Sequence, residues 1–276
     1  YVVYGMPVEG ARRRTIARLP VKQPSYMHSF GSSERHLILA EYPLRVNPLR
    51  LATSNRPFIE NYRWDGDAPA RFLVVDRDSG ELRGSYETDA FFCFHHVNAF
   101  ERGDELVVDL IAYEDARIIA AFYLDDELRR PRGSLPGGEL RRYTIDLAGG
   151  GVRHRPLAEG AIELPRIAYG SHNGRDYAYV YGAGVEGDWF DTLVKVDVRN
   201  GTRRVWRAPG CYPGEPVFVA RPGASAEDDG VVLSVVLDAE AERSFLLVLD
   251  AASFDELARA EAPHHIPFGF HGQFVR

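Results

Sequence analysis

Nine histidines carry the first chemical signal: His28, His36, His95, His96, His154, His172, His264, His265 and His271. Neutral imidazole is a ligand for iron, zinc, nickel and copper. No pair has the HExxH spacing that sets two ligands on one helical face, so a metal site must gather its ligands from distant segments. Three contexts stand out. His28 lies in PSYMHSFGSS and His95 in FFCFHHVNAFE, each just before an expected strand, and His271 lies in IPFGFHGQF among glycines. Phe30, Phe94 and Phe270 give the three an apolar setting, which disfavours imidazolium and keeps the rings neutral. The ordinary alternative, histidines satisfied inside strands and turns, stays open for all three. Neighbouring side chains of an extended segment point opposite ways, so at most one of His95 and His96 meets a given centre. His36 begins a strand and reads as structural; His154 and His172 lie in polar, turn-like surroundings and read as surface residues.

Metal-bound histidines usually hand their second ring N–H to a carboxylate or carbonyl. Glu163 in AIELPRIAYG and Glu215 in CYPGEPVFVARP adjoin prolines and apolar strand residues. A buried ionised carboxylate needs such a partner; a simple turn carboxylate is the alternative at both positions. Glu41 in LILAEYPL is a weaker candidate for an interior hydrogen bond or a surface turn.

The elements that must position these groups read as strands. HLILAEYPL (36–44), RFLVVDR (71–77), ELVVDLIAY (105–113), RRYTIDL (141–147), DYAYVYGAG (176–184), TLVKVDV (192–198), GVVLSVVLD (230–238) and SFLLVLD (244–250) suit a pleated, half-buried surface. Asp76, Asp146, Asp197 and Asp238 lead out of strands into polar turns, where Gly80, Gly149 and Gly201 can supply turn dihedrals. Helical signal is confined to 253–261, where Ser253 and Glu256 fit a capping box, and to a short helix within 114–130. Segment 44–70, with Pro48, Pro57 and Pro69, reads as a long surface excursion that frames or covers a site. Short strands in series imply an all-β sandwich, barrel or propeller and no βαβ alternation.

The 276 residues are 45% hydrophobic and 26% charged, enough for one large folded domain over 1–276. The formal net charge of −7 gives no global field for nucleic acid or an anionic membrane. Two cysteines, Cys93 and Cys211, make neither a disulfide framework nor a thiolate zinc knuckle, which points to a reducing cytoplasm. No apolar run approaches the length of a membrane span, no signal peptide opens the chain, and no phosphate-binding glycine fingerprint occurs.

Five blocks in order, MHSFGSSERHLILAEYPL, CFHHVNAFERGDELVVDL, ELPRIAYG, GEPVFVARP and PFGFHGQF, resemble those of the carotenoid cleavage oxygenase family over essentially the entire chain. The resemblance implies a seven-bladed β-propeller with capping loops. It implies one Fe(II) held near the propeller axis by four histidines and no direct carboxylate ligand. Three of those histidines carry over as His28, His95 and His271, and the glutamates that hold ligand rings as Glu163 and Glu215. The family's first histidine block and first such glutamate have no counterpart here, so the chain is expected to be the C-terminal part of a longer protein, with the propeller incomplete at its N-terminus. The implied reaction is oxidative cleavage, with O₂, of a conjugated C=C bond in a carotenoid, apocarotenoid or stilbene to two carbonyl products. Phe30, Phe91, Phe94, Phe268 and Phe270 are the expected liners of an apolar substrate tunnel. The Leu, Phe and Trp residues of 44–64 offer a patch for transient membrane contact, which would make a cytoplasmic protein peripheral. No nucleic acid and no obligate protein partner are implied. Two other readings remain: a three-histidine zinc hydrolase, and a non-catalytic propeller that serves as a binding module.

Overall fold

The computed structural model describes residues 1–8, 10, 12–123, 135–187 and 189–275. An antiparallel pair, β1 (Val2–Gly5) and β2 (Arg14–Arg18), comes first. The first four-stranded sheet begins with β3 (Gly31–Ser32) and β4 (His36–Glu41). The chain then leaves it through β5 (Leu44–Arg45), α1 (Pro48–Thr53), a 3₁₀ turn at Phe58–Asn61 and β6 (Arg63–Trp64). It returns with β7 (Ala70–Asp76) and β8 (Leu82–Thr88). The second sheet is β9 (Phe92–Arg102), β10 (Glu105–Tyr113), β11 (Glu139–Asp146) and β12 (Val152–Pro156), with α2 (Arg117–Ala121) after β10. The third is β13 (Ala161–Arg166), β14 (Tyr179–Val185), β15 (Phe190–Asp197) and β16 (Arg203–Trp206), with α3 (Tyr169–His172) inside it. The fourth has five strands: β17 (Cys211–Pro213), β18 (Val217–Ala220), β19 (Gly230–Asp238), β20 (Arg243–Asp250) and β21 (Glu256–Glu261).

Each of these sheets is an antiparallel meander, and one turn recurs in all four. Asp76, Asp146, Asp197 and Asp250 end the next-to-last strand of each sheet, and each accepts backbone N–H at Oδ1 from the turn that follows. Four residues on, Gly80, Gly150, Gly201 and Phe254 take φ of +75°, +80°, +76° and +66° and donate N–H back to the aspartate carbonyl. Gly150, rather than Gly149, supplies the left-handed residue. This is the internal repeat of the fold; it lies in turn chemistry rather than in similar strand sequences.

The helix expected over 253–261 is absent. Asp250 captures the Ala252 and Ser253 N–H groups, which diverts Ser253 from a cap. Phe254 turns left-handed and buries its ring 6.3 Å from Tyr181. Residues Glu256–Glu261 then pair with β20 as a fully exposed edge strand. Tertiary pairing outweighs local helix propensity here. The helix expected within 114–130 forms at Arg117–Ala121, and 124–130 lies outside the described residues.

Sheet-on-sheet packing supplies the core. The main cluster joins Ile38, Phe72, Phe92, Leu110, Tyr143 and Val194, so it runs through the first three sheets. A second joins Tyr181 and Leu193 of the third sheet to Val232, Phe245 and Leu247 of the fourth. Asp109 is fully buried between sheets, where Arg142 donates to it from Nε and Nη2 at 2.8 and 2.7 Å and the Tyr177 hydroxyl donates at 2.6 Å. Three donors compensate the buried charge. Glu41 is likewise interior: it accepts from the Tyr1 hydroxyl at 2.6 Å and pairs with Arg71. Among the described residues no helix is long and apolar enough to cross a membrane.

Candidate metal centre

The sheets bring His28, His95 and His271 together, with one ligand atom from each lying within 4.8 Å of the others. Ring centroids are 5.0 Å apart for His28–His95, 5.0 Å for His95–His271 and 6.3 Å for His28–His271. His28 sits on a bend, with only Ser29 and Phe30 between it and β3, as expected. His95 departs from expectation: it lies inside β9 instead of before it. Phe94 and His95 together face the single residue Ile111, between the pairs Leu110–His96 and Ala112–Cys93. Such a bulge re-aims side chains and marks many sites. His271 lies in the segment after β21, outside any helix or strand.

Two carboxylates hold the second nitrogens. Nδ1 of His95 is 2.5 Å from Glu163 Oε2, and Nδ1 of His271 is 2.9 Å from Glu215 Oε1. An ionised carboxylate only accepts, so both Nδ1 atoms carry hydrogen, and in the neutral form of each ring Nε2 keeps its lone pair. These Nε2 atoms face each other at 3.3 Å. Two lone pairs aimed at one another repel, and a cation between them removes the conflict. Across 3.3 Å both nitrogens could bind one ion at the usual metal–nitrogen bond length of about 2.0–2.1 Å. The residues therefore fit a metal ion.

Each glutamate is itself fixed. Glu163, on β13, is buried and accepts from the Tyr113 hydroxyl at 3.1 Å and from the Leu164 N–H at 2.5 Å. Leu164 has φ of +50°, a left-handed conformation that a branched residue adopts at a cost. Glu215, between β17 and β18, accepts the Gly272 N–H at 2.9 Å and lies 3.6 Å from Arg166 Nη1. Arg166 also donates to Gln273 at 2.9 Å, which anchors the segment carrying His271. The Nδ1 of His28 lies 3.4 Å from the Tyr26 hydroxyl. Burial, reinforced by the two neighbouring imidazoles, pulls the His28 pKa below its ordinary value, which keeps a lone pair available near neutral pH.

Tyr26, Tyr113 and Arg166 escaped the sequence reading. The only signal was their place: two residues before His28, at the end of ELVVDLIAY, and after the proline of ELPR. His96 points away, with Nδ1 2.9 Å from the Ser29 hydroxyl and its Nε2 buried; desolvation pushes its pKa down to about 3. His36 binds Glu101 at 2.9 Å. Phe94 borders the cluster, 5.4 Å from His28 and 6.2 Å from His95. Phe268 and Phe270, with His271, line an open groove of about 390 Å³. Phe30 is half exposed. Phe91 is not a liner: it packs in the core against Tyr42, Phe72 and Tyr143, because it precedes β9 on the side facing the first and second sheets. Phe122, Trp189 and Phe190 form an aromatic belt from Phe94 to Phe268 that sequence reading did not single out.

A sequence profile of the retinal pigment epithelial membrane protein family matches residues 1–276. The mitochondrial carotenoid-cleaving dioxygenase of Macaca fascicularis is 37% identical over 305 residues, which cover 95% of this chain and 55% of that protein. The β,β-carotene 15,15′-dioxygenase of Homo sapiens is 34% identical over 293 residues, 91% of this chain and 52% of that protein. The crystal structure of a cobalt-substituted Synechocystis apocarotenoid oxygenase superposes with a TM-score of 0.84 at 30% identity, covering 96% of this chain and 56% of that one. The chain thus spans about half the length of the relatives it matches. Its four sheets are blades of the seven-bladed β-propeller of those structures. The chain belongs to the retinal pigment epithelial membrane protein family, the carotenoid cleavage oxygenases that its five sequence blocks resemble.

Proposed function

We propose that this chain supplies three imidazoles to a non-haem Fe(II) centre, and that the intact protein uses O₂ to cleave a conjugated C=C bond of a carotenoid, apocarotenoid or stilbene-type substrate into two carbonyl products. The observation that carries the reading is the pair of facing Nε2 atoms of His95 and His271, each ring backed by a buried glutamate, with His28 beside them.

Imidazole donors without a carboxylate ligand suit a divalent transition metal such as iron. The ion, when bound, supplies the oxygen chemistry; the protein positions and tunes it. His28, His95 and His271 would hold it. Glu163 keeps the proton of His95 at Nδ1 and Glu215 does the same for His271, so both Nε2 atoms stay aimed inward. Phe94 and the belt of Phe122, Phe190 and Phe268 offer flat apolar surface for a conjugated chain and shed water from it. Leu49 and Phe58 stand exposed beside Arg50 and Arg56 on the excursion between β5 and β6, which supports transient contact with a membrane by a peripheral, cytoplasmic protein.

The test is product analysis. Fe(II)-loaded intact protein, given an apocarotenal or a hydroxystilbene under ¹⁸O₂, is expected to yield two labelled carbonyl fragments. Full turnover of an ester substrate by a zinc-loaded, iron-free protein would establish the hydrolase instead. Binding without conversion would leave a binding module.

A further inference from the structure

Tyr113 ends β10 with its ring 2% exposed, wedged against Phe92 and Phe94 at 6.3 and 6.0 Å between ring centroids. Its hydroxyl donates to Glu163 Oε1 at 3.1 Å. The other carboxylate oxygen, Oε2, takes His95 Nδ1 and the Leu164 N–H, each at 2.5 Å. A glutamate carboxylate otherwise turns freely, since its terminal torsion is broad. Donors on both oxygens, from β10, β9 and the Leu164 turn, fix its plane. That plane sets the direction of the His95 Nδ1–H bond, and hence the line along which His95 Nε2 points toward His271.

We infer that Tyr113 is a positioning residue of the metal centre, which acts through Glu163 to hold the His95 ring in the ligating orientation. This rests on the metal reading given above. The other half of the centre reaches the same end by different means: Gly272 N–H and Arg166 approach Glu215. The two glutamates are therefore not equivalent. Each arm has one backbone N–H, from Leu164 or Gly272; beside it the Glu215 arm has a cation, whereas the Glu163 arm has a neutral O–H. Burial keeps that phenol protonated and so able to donate at any working pH. Removing the hydroxyl deletes a single donor and leaves the aromatic packing in place.

The experiment is a Co²⁺ titration of the intact, metal-stripped protein, followed by the visible d–d absorption of the ion. Tyr113→Phe is expected to weaken Co²⁺ binding by about 3–10-fold, below the 10–100-fold of a group bonded directly to a ligand, and to shift the absorption bands. Tyr177→Phe is the control, because its hydroxyl bonds Asp109 in the core at 2.6 Å; it should lower the melting temperature yet leave affinity and spectrum unchanged. In a Glu163→Ala background, Tyr113→Phe should add no further loss. Wild-type affinity and spectrum in Tyr113→Phe overturn the inference, as does an undiminished effect in the Glu163→Ala background. A wild-type protein that binds no Co²⁺ overturns the metal reading itself, a result distinct from either.

Discussion

The Nε2 atoms of His95 and His271 lie 3.3 Å apart although 176 positions separate the two residues in the chain. One belongs to a bulge in the second blade and the other to the segment that follows the fourth. Only the radial arrangement of the blades brings them together. Glu163 and Glu215 then decide which nitrogen of each ring faces inward. Replacing either carboxylate by an amide leaves its shape but weakens the fixed tautomer. Glu215→Gln and Glu163→Gln are each expected to weaken metal retention by about 10–100-fold, measured by competition with a chromophoric chelator. Unchanged retention would return that glutamate to a turn role.

The Glu163 arm also depends on close approach of backbone. Gly138 precedes β11, and its carbonyl accepts the Ile162 N–H at 2.9 Å. A Cβ there would meet Ile111 Cγ2 at 2.5 Å, the Ile162 oxygen at 2.7 Å and Tyr113 Cζ at 3.1 Å. Gly138→Ala must therefore push the second blade off the third at the point where Tyr113 reaches Glu163. A loss of about 1–3 kcal/mol in urea unfolding is expected, together with weaker metal binding. Gly103→Ala, where a Cβ meets nothing within 4 Å, should cost only what its φ of +63° imposes and leave metal binding intact.

Glu101 ties the segment after His28 to the second blade. It accepts from the Ser33 hydroxyl at 2.6 Å, the Arg35 N–H at 3.1 Å and the His36 ring at 2.9 Å. Burial alone would raise its pKa, but these donors outweigh burial and hold it below the ordinary value. A carboxylate depressed on folding adds stability above its unfolded pKa, about 4.3, and loses it as the pH falls through the lower folded value. Glu101→Gln should therefore be less stable than wild type at pH 7, by about 1–3 kcal/mol. The gap should close as the pH falls below that unfolded value. Chemical denaturation at neutral and acid pH reads it directly, and a gap independent of pH would contradict the assignment.

The buried Asp109–Arg142 pair sets blade packing. Arg142→Met strands the Asp109 carboxylate, and a loss of about 3–5 kcal/mol is expected. The double variant Asp109→Leu/Arg142→Met should recover much of that loss, since a packed apolar pair often matches a buried ion pair. Equal loss in the single and double variants would show that packing, not the stranded charge, dominates.

Much of this was legible in the sequence, and unevenly. His28, His95 and His271 stood out through their aromatic and glycine-bound settings, and Glu163 and Glu215 through prolines beside apolar residues. The aspartates that end strands were visible at 76, 146 and 197, but the repeat was hidden because the fourth blade uses Phe254 where the others use glycine. The same residue explains the misread helix, since a capping box competes poorly with an aspartate turn that has an edge to pair with. Tyr113 and Arg166 were invisible because their partners lie on other blades. The bulge at His95 was hidden for a related reason: register is a property of two strands, and one strand's sequence does not state it.

Iron content tests the central claim most directly. The intact protein, purified with Fe(II) under anaerobic conditions, should retain about one iron per chain, and so should His96→Ala, whereas His95→Ala and His271→Ala should retain almost none. Iron held equally by His95→Ala and the wild type would contradict the account.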